Sequence, residues 1–539
     1  MAVGSSLFRN YFLFGLAGAL IGSAFLFPQT FASVILGWLG ALFLCHAVNT
    51  SRRVMVGLFF SGLVLSVIGF YWLVETVHFF GGFNYPLAAI IFSLFCWYSA
   101  LQFVLCGVIS RFIGGGGYGG FPCFALSWLI VESFMPRIFP WAIAHTQITW
   151  VWFSGLADIF GANVLSFIML LWGEAVSLLV LGKPRAKRFI SLLFVLSACL
   201  LSVGAWRSNA VLGALEKAAS VRVALVQGNL DAKQKGDVNY LESNLERYRE
   251  LSATAVDEGA ELVFWPESVV NAWAPENLTS VVSTENELLP DKPVNLLYGG
   301  LSYAERSTAE VQAILAAVYG GVSREYIELI RFAYYNTAFG VDERGDVVGR
   351  YHKRVLMPFG EYIPFAREFP FLQSLSPQTG NFDSGKLSEP ISFNLRLMGA
   401  EGVVEEQQVK VMPLICYEDL VSSLAREAVL KGANILVNLT NDAWYGRTAA
   451  PFQHNLLAAW RAIETRRFLL RVTNTGYTAV IDPLGRTQGD LEIFSNDYLI
   501  ADVKPLAVET IYARLGDLAP LLIIGAVSAL LWASRKARP

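Results

Sequence analysis

Three short stretches of the chain place an ionisable or nucleophilic side chain where an apolar run stops. "VFWPES" carries Glu267, "GRYHKRVLMPFGEYIPF" carries Lys353 and then Glu361, and "VKVMPLICYED" carries Cys416. Active sites assemble at the ends of strands in an α/β sheet, so the three belong together if these runs are strands of one fold. A thiol, a carboxylate and an ammonium form a workable set for acyl transfer. Cys416 would attack a carbonyl, Glu267 would take the thiol proton and return it to the leaving group, and Lys353 would stabilise the oxyanion. A helix starting at Cys416 favours the thiolate through its N-terminal dipole, while Glu418 and Asp419 oppose it. From spacing alone two plainer readings stand beside this one. Cys416 reads equally as a buried structural thiol, and Glu267 with Lys353 as a surface ion pair worth about 0–1 kcal/mol.

The elements that would position these residues alternate. Strand-like runs cover 221–229, 261–268, 295–303, 409–416, 434–442 and 468–482, and helical periodicity covers 238–258, 418–431 and 452–467. Short β-rich runs separated by amphipathic helices predict a layered α/β domain over 215–510. Residues 304–334 read as a helical insertion between strands. The glycine run 114–120 lacks the Lys-Ser/Thr of a phosphate-binding loop and reads as a connector.

The first 210 residues have a different character. The chain of 539 residues is 54% hydrophobic and 13% aromatic with a mean hydropathy of +0.46, too apolar for one water-soluble domain. Apolar segments near the ~20 residues needed to cross a bilayer fall at 11–28, 30–48, 54–74, 86–110, 119–136, 161–182 and 189–206, with an eighth at 517–534. The expected plan is a seven-span membrane domain over 1–210, the α/β domain over 215–510, and a C-terminal span over 517–534. Arg9, Arg52, Arg53, Arg111, Lys183, Arg185, Lys187, Arg188, Arg535, Lys536 and Arg538 lie at the termini and in the even-numbered loops, whereas the alternate short loops hold Arg137 and Glu75. Both termini are therefore expected in the cytoplasm and the α/β domain on the far side of the membrane. A cleaved signal peptide is the rival reading of residues 1–30, but only Arg9 supplies its positive region and no A-x-A site is clear.

A net charge of −3 and a pI near 6.1 leave no basic excess for nucleic acid. Cys45, Cys96, Cys106, Cys123 and Cys199 lie in the membrane half, so Cys416 is alone in the exported domain. Oxidising compartments normally pair their cysteines, and this one has no partner within its domain.

The ordered series of motifs is more specific than any one of them. Glu267 in "WPES", Lys353 in "YHKRVLMPFGE" and Cys416 in "ICYED" resemble the Glu-Lys-Cys triad of the nitrilase, or carbon–nitrogen hydrolase, superfamily. "NLTNDAWYG" (438–446) and "RAIETRRFLLRVTNTGYTAVIDPLGR" (461–486) resemble later blocks of the same fold. With seven spans before and one after, the full length resembles the apolipoprotein N-acyltransferase family.

That resemblance implies an αββα sandwich, no metal or organic cofactor, and a ping-pong reaction at the outer face of the bacterial inner membrane. Cys416 would take an acyl chain from a phospholipid, typically phosphatidylethanolamine, as a thioester. The α-amine of a diacylglyceryl-cysteine at a lipoprotein N-terminus would then receive the chain as an amide, the last step of lipoprotein maturation. Glu361 matches a second carboxylate that positions Lys353 or assists proton transfer, and Tyr417 and Glu418 match the residues following the nucleophile. Two departures stand out. Relatives often carry a tryptophan several residues after "QGN" where this chain has Gly236, and 304–334 looks longer than usual.

Other residues invite readings of their own. Asn438, Asn441, Asp442 and Trp444 read as pocket walls and support. Phe139, Trp141, Trp150, Trp152 and Phe153 read as an interfacial aromatic belt, with a lipid access surface below Cys416 as the functional alternative. Glu132 and Glu174 are expensive inside a bilayer and are candidates without an assigned role. His46, His78, His145, His352 and His454 are too scattered for a metal cluster. Three other functions compete. A small-amide hydrolase would share the triad but leave the spans unexplained, a transporter would need a paired set of broken or charged helices, and a lipoprotein-binding scaffold would have no use for the intact Glu267, Lys353 and Cys416.

Overall fold

The computed structural model describes residues 2–79, 81–115, 121–231, 238–282, 292–317, 324–358, 382–386, 389–399 and 404–536, with 360–363, 365, 366, 368, 369, 371 and 402. Gly236, most of the glycine run and residues 318–323 of the insertion lie outside the described residues.

Helices coincide with all eight expected apolar segments. Phe31–Thr50, Tyr85–Ile113, Ala162–Val180 and Ala186–Lys217 are each long and apolar enough to cross a membrane. The segment expected at 54–74 is broken, because Val54–Gly69 and Leu73–Phe79 meet at 58°. Ala2–Ala24, Cys123–Phe134 and Leu518–Lys536 account for the rest. Cys123–Phe134 has only 12 residues, and Glu174 from the neighbouring helix caps its start by accepting from the backbone N–H groups of Phe124 (3.1 Å) and Ala125 (3.2 Å). A carboxylate at a helix N-terminus satisfies donors that have no intrahelical partner, so Glu174 has a structural reason to be there. Glu132 accepts from Trp128 Nε1 (3.1 Å) and the Ile143 backbone (3.3 Å), fixing the loop that follows.

That loop corrects the aromatic-belt expectation. Trp141 and Phe153 are buried, and of the five aromatics only Trp152 is exposed. The loop folds back onto the helices, placing Trp141 edge-on to Phe25 at 5.7 Å, so packing and not the interface claims it.

The α/β domain is built from two sheets. In chain order, β1 (Val221–Gln227), β2 (Leu262–Phe264), β3 (Val270–Pro275), β4 (Asn295–Glu305), β5 (Phe332–Val341) and β6 (Val347–His352) belong to the first. β7 (Ile391–Met398), β8 (Val404–Ile415), β9 (Ile435–Thr440), β10 (Phe468–Thr473), β11 (Ala479–Ile481) and β12 (Thr487–Asp490) form the second. β13 (Asp497–Val503) returns to pair with β1, giving the orders β13-β1-β2-β4-β5-β6, with β3 beside β4, and β12-β11-β10-β9-β8-β7. β1 shows how the layers form. Val221, Val223 and Leu225 join the core shared with the second sheet, while Ala224 and Val226 pack with Leu245 and Tyr248 of helix Leu241–Asp257. Helices Ser422–Leu430 and Ala450–Thr465 pack on the second sheet at β8 and β10. The result is the expected αββα sandwich.

Of the insertion expected over 304–334, residues 304–305 and 332–334 belong to β4 and β5, which pair antiparallel from Leu296↔Val341 to Glu305↔Phe332, and the connection between the strands is 306–331. It contains helices Thr308–Ala317 and Arg324–Arg331. The two halves of the protein are locked by a buried charge group. Arg466 donates to Asp158 Oδ2 (2.9 Å) and Gly155 O (2.8 Å), and Arg207 of the last membrane-half helix takes the same carboxylate at 2.8 Å. Asp158 and Arg466 are fully buried, so each charge needs the other.

Candidate active site

Glu267 sits where β2 ends. Its neighbour Ser268 has φ +49°, and β4 passes so close that a Cβ on Gly299 would lie 2.4 Å from Pro266 O and 2.6 Å from Glu267 Cα. Only glycine permits that approach. Lys353 follows β6 and is buried, its backbone N–H donating to Asn336 O at 2.8 Å. The side chains then converge. Lys353 Nζ lies 2.8 Å from Glu361 Oε2 and 3.4 Å from Glu267 Oε1. Asn336 Nδ2 bridges the two acids, donating to Glu267 Oε1 at 2.8 Å and Glu361 Oε1 at 3.1 Å.

Cys416 stands at the end of β8 with φ +51°, an uncommon conformation for a residue with a side chain. The expected helix does not begin here. A five-residue 3₁₀ turn, Cys416–Leu420, comes first and the α-helix starts at Ser422, so a long helix dipole does not aim at the sulfur. Asn438, Tyr417 and Glu418 each help to hold the turn. Asn438 Nδ2 donates to the carbonyls of Leu414 and Cys416, both at 2.9 Å. Tyr417 donates its hydroxyl to Ile138 O at 2.7 Å, joining the turn to the loop of the membrane half. Glu418 is fully buried and accepts from the Ile415 (2.7 Å), Arg354 (2.7 Å) and Val355 (3.0 Å) backbone and from Tyr351 (3.0 Å). Glu418 therefore clamps the lysine-bearing segment to the cysteine-bearing one and does not face the sulfur as an opposing charge. Burial pushes its carboxyl up to about 7 against those donors.

Burial and the Glu267 charge push the Cys416 thiol well above its usual range, against the pull of Lys353 and a Thr440 hydrogen bond. Burial works against the Lys353 ammonium as well, but Glu361 and Glu267 outweigh it and hold the lysine well above its usual value. The resting arrangement is a protonated thiol beside a fixed cation and two carboxylates. Such a thiol is a poor nucleophile until a base takes its proton during attack.

The expected residues Glu267, Lys353, Glu361, Cys416, Tyr417 and Glu418 are thus brought to one place. Sequence reasoning missed Asn336 and Tyr351. It read Asp419, Asp442 and His454 separately and missed that, one step further from the sulfur, the two acids meet His454 and Arg471 in one buried group. The signal for the last was present, since Arg471 interrupts the apolar run "FLLRVT" and a buried guanidinium demands carboxylates. On the membrane side, Phe70, Trp72, Phe95 and Phe139 form an aromatic cluster that reaches Tyr445, with Trp72 and Tyr445 edge-on at 5.2 Å.

The chain belongs to the carbon–nitrogen hydrolase family, whose model matches residues 222–512. The model of the apolipoprotein N-acyltransferase N-terminal domain matches residues 17–175. Over most of its length the chain is similar to the apolipoprotein N-acyltransferase of Geobacter metallireducens, 28% identical over 520 residues that cover 94% of this chain and 92% of the relative. The apolipoprotein N-acyltransferase of Bdellovibrio bacteriovorus is 29% identical over 551 residues, covering 95% and 92%. Among solved structures, the nitrilase-superfamily amidase of Nesterenkonia AN1 aligns with 55% of this chain and 94% of its own at 19% identity and a TM-score of 0.35. The apolar helices and the matching N-terminal domain make the chain a membrane protein.

Proposed function

We propose that the protein N-acylates the N-terminal diacylglyceryl-cysteine of lipoproteins at the bacterial inner membrane, taking the acyl chain from a phospholipid such as phosphatidylethanolamine. The observation that carries this reading is the attachment of the Cys416 turn to the membrane half, through the Tyr417 hydroxyl on Ile138 O. A thiol that acts on small amides has no need of that anchorage, whereas one that acts on lipid acyl esters must be held at the bilayer. The aromatic cluster from Phe70 to Tyr445 offers an apolar wall for the chain.

Glu267 takes the Cys416 proton as the sulfur attacks the ester carbonyl, and Lys353 donates to the oxyanion. The C–O bond breaks, the proton passes from Glu267 to the departing lysophospholipid alkoxide, and a thioester remains. The lipoprotein amine then attacks, the C–S bond breaks, and the amine proton returns through Glu267 to the thiolate. Glu361 holds Lys353 charged and in place, and Asn336 fixes the separation of the two acids. The seven-plus-one arrangement of spans, with both termini cytoplasmic and the α/β domain outside, belongs to the same proposal and rests on the distribution of Lys and Arg.

The test is transfer. Purified protein given phosphatidylethanolamine and a diacylglyceryl-cysteinyl peptide is expected to yield N-acyl peptide and lysophospholipid in equal amounts, with neither formed by Cys416→Ala. Release of ammonia from small amides, with no acylated peptide, would replace this reading with a hydrolase.

A further inference from the structure

The first turn of helix Ala450–Thr465 faces two ways. Gln453 accepts from Trp72 Nε1 and donates to Gly69 O, both at 2.9 Å, and so grips the break in the 54–79 helix pair. The next residue, His454, points to the nucleophile side. Its Nε2 lies 2.9 Å from Asp419 Oδ1 and its Nδ1 3.2 Å from Asp442 Oδ1. Arg471 of β10 pairs with Asp419 and, at 3.3 Å, with Asp442 Oδ2. All four side chains are buried.

Hydrogen-bond chemistry fixes the charge of the imidazole. Ionised carboxylates only accept, and a neutral imidazole has a single N–H. Two carboxylate partners therefore require an imidazolium, and the group then balances at two negative and two positive charges. Asp419 lies in the Cys416–Leu420 turn, and Asp442 follows β9, whose Asn438 holds the Cys416 carbonyl.

We propose that His454 is a positioning residue for the nucleophile, binding Asp419 and Asp442 as an imidazolium and so holding the Cys416 turn against the end of β9. The inference rests on the acyl-enzyme reading above. The groups facing the ring are Asp419 from the turn, Asp442 and the Tyr445 ring from the segment after β9, and Arg471 from β10. Burial lowers the affinity of the ring for its proton, Asp419 raises it, Arg471 lowers it and Asp442 raises it, with a net rise to about 9. The usual value is ~6.5. A raised value means that the contribution is complete below ~6.5 and is lost as pH rises through about 9. Lys353 is held well above its own usual range, so an alkaline limb near pH 9 belongs to His454 and not to the lysine.

The experiment measures the rate of acyl-enzyme formation on the full chain with phosphatidylethanolamine, across neutral to alkaline pH. Wild type, His454→Gln and Asp442→Asn are compared, with thermal unfolding of each alongside. Wild type is expected to show the limb. His454→Gln should lower the neutral plateau about ten- to a hundredfold, the cost of a misplaced reacting group, and abolish the limb. Asp442→Asn should move it to lower pH. A His454→Gln rate within twofold of wild type, or a limb left where it was, overturns the proposal. If the variants do not fold, the wild-type profile decides, since an acyl-enzyme whose formation shows no alkaline limb below pH ~10 overturns it equally. Absence of any acyl-enzyme at every pH would instead overturn the function itself, and this role with it.

Discussion

Two buried charge clusters flank Cys416, and they are built to opposite rules. Glu267, Glu361 and Lys353 put two carboxylates on one ammonium beside a protonated thiol. Asp419, Asp442, His454 and Arg471 put two carboxylates on two cations with no charge left over. Both are shielded from water, so the low dielectric magnifies each interaction. In the proposed mechanism the unbalanced cluster supplies the carboxylate oxygen that takes and returns the proton. The balanced one has nothing to gain from a proton transfer and serves to hold two chain segments at a fixed distance. Changes in the first cluster should therefore appear in rate, and changes in the second in stability and in the placement of the sulfur.

The largest expected effect is on chemistry alone. Cys416→Ala should abolish acyl-enzyme formation, and Glu267→Gln should slow it by ~10³- to 10⁴-fold while leaving thermal unfolding nearly unchanged. A Glu267→Gln protein that lost stability and kept its rate would erase the distinction between the clusters. Next in size, Arg471→Met leaves Asp419 and Asp442 underpaired in the interior and should cost ~3–5 kcal/mol, read as a lower melting temperature in detergent. Glu361→Gln should sit below both, near ~10²-fold in rate, because Lys353 keeps Glu267 as a partner but loses the closer contact that orients it. The smallest is Tyr417→Phe, which removes one hydrogen bond between the turn and Ile138 and should cost about 1 kcal/mol of stability. That variant should also slow reaction with lipid more than alkylation of Cys416 by a small soluble reagent, if the anchorage serves the bilayer.

Much of the site was legible because its residues come at strand ends with distinctive neighbours. Glu267, Lys353 and Cys416 come where predicted strands end and Glu361 beside a Pro-Phe-Gly turn. β-rich runs alternating with amphipathic helices predict a layered α/β domain, while the αββα sandwich came from the family resemblance. What stayed hidden depended on contacts far apart in the chain. Asn336 looks like an ordinary polar residue in "YYNTAFG", and only the meeting of β5 with the segment after β6 makes it a bridge between two acids. Glu418 looked like a charge opposed to the thiolate until its four donors placed it against the backbone. The broken helix at Gly69–Trp72 reads as one apolar segment, since hydropathy carries no sign of a bend that Gln453 pins from 381 residues away. Trp141 misled for a related reason. An aromatic near a span suggests an interface, and its burial depends on how the loop folds back over Phe25.

The most direct test of the central claim is the mass of the intact protein after incubation with phosphatidylethanolamine. The expected result is an increase of one acyl chain that hydroxylamine removes, that Cys416→Ala does not acquire, and that appears together with lysophospholipid. A folded wild-type protein that gains no such mass and releases no lysophospholipid would contradict it.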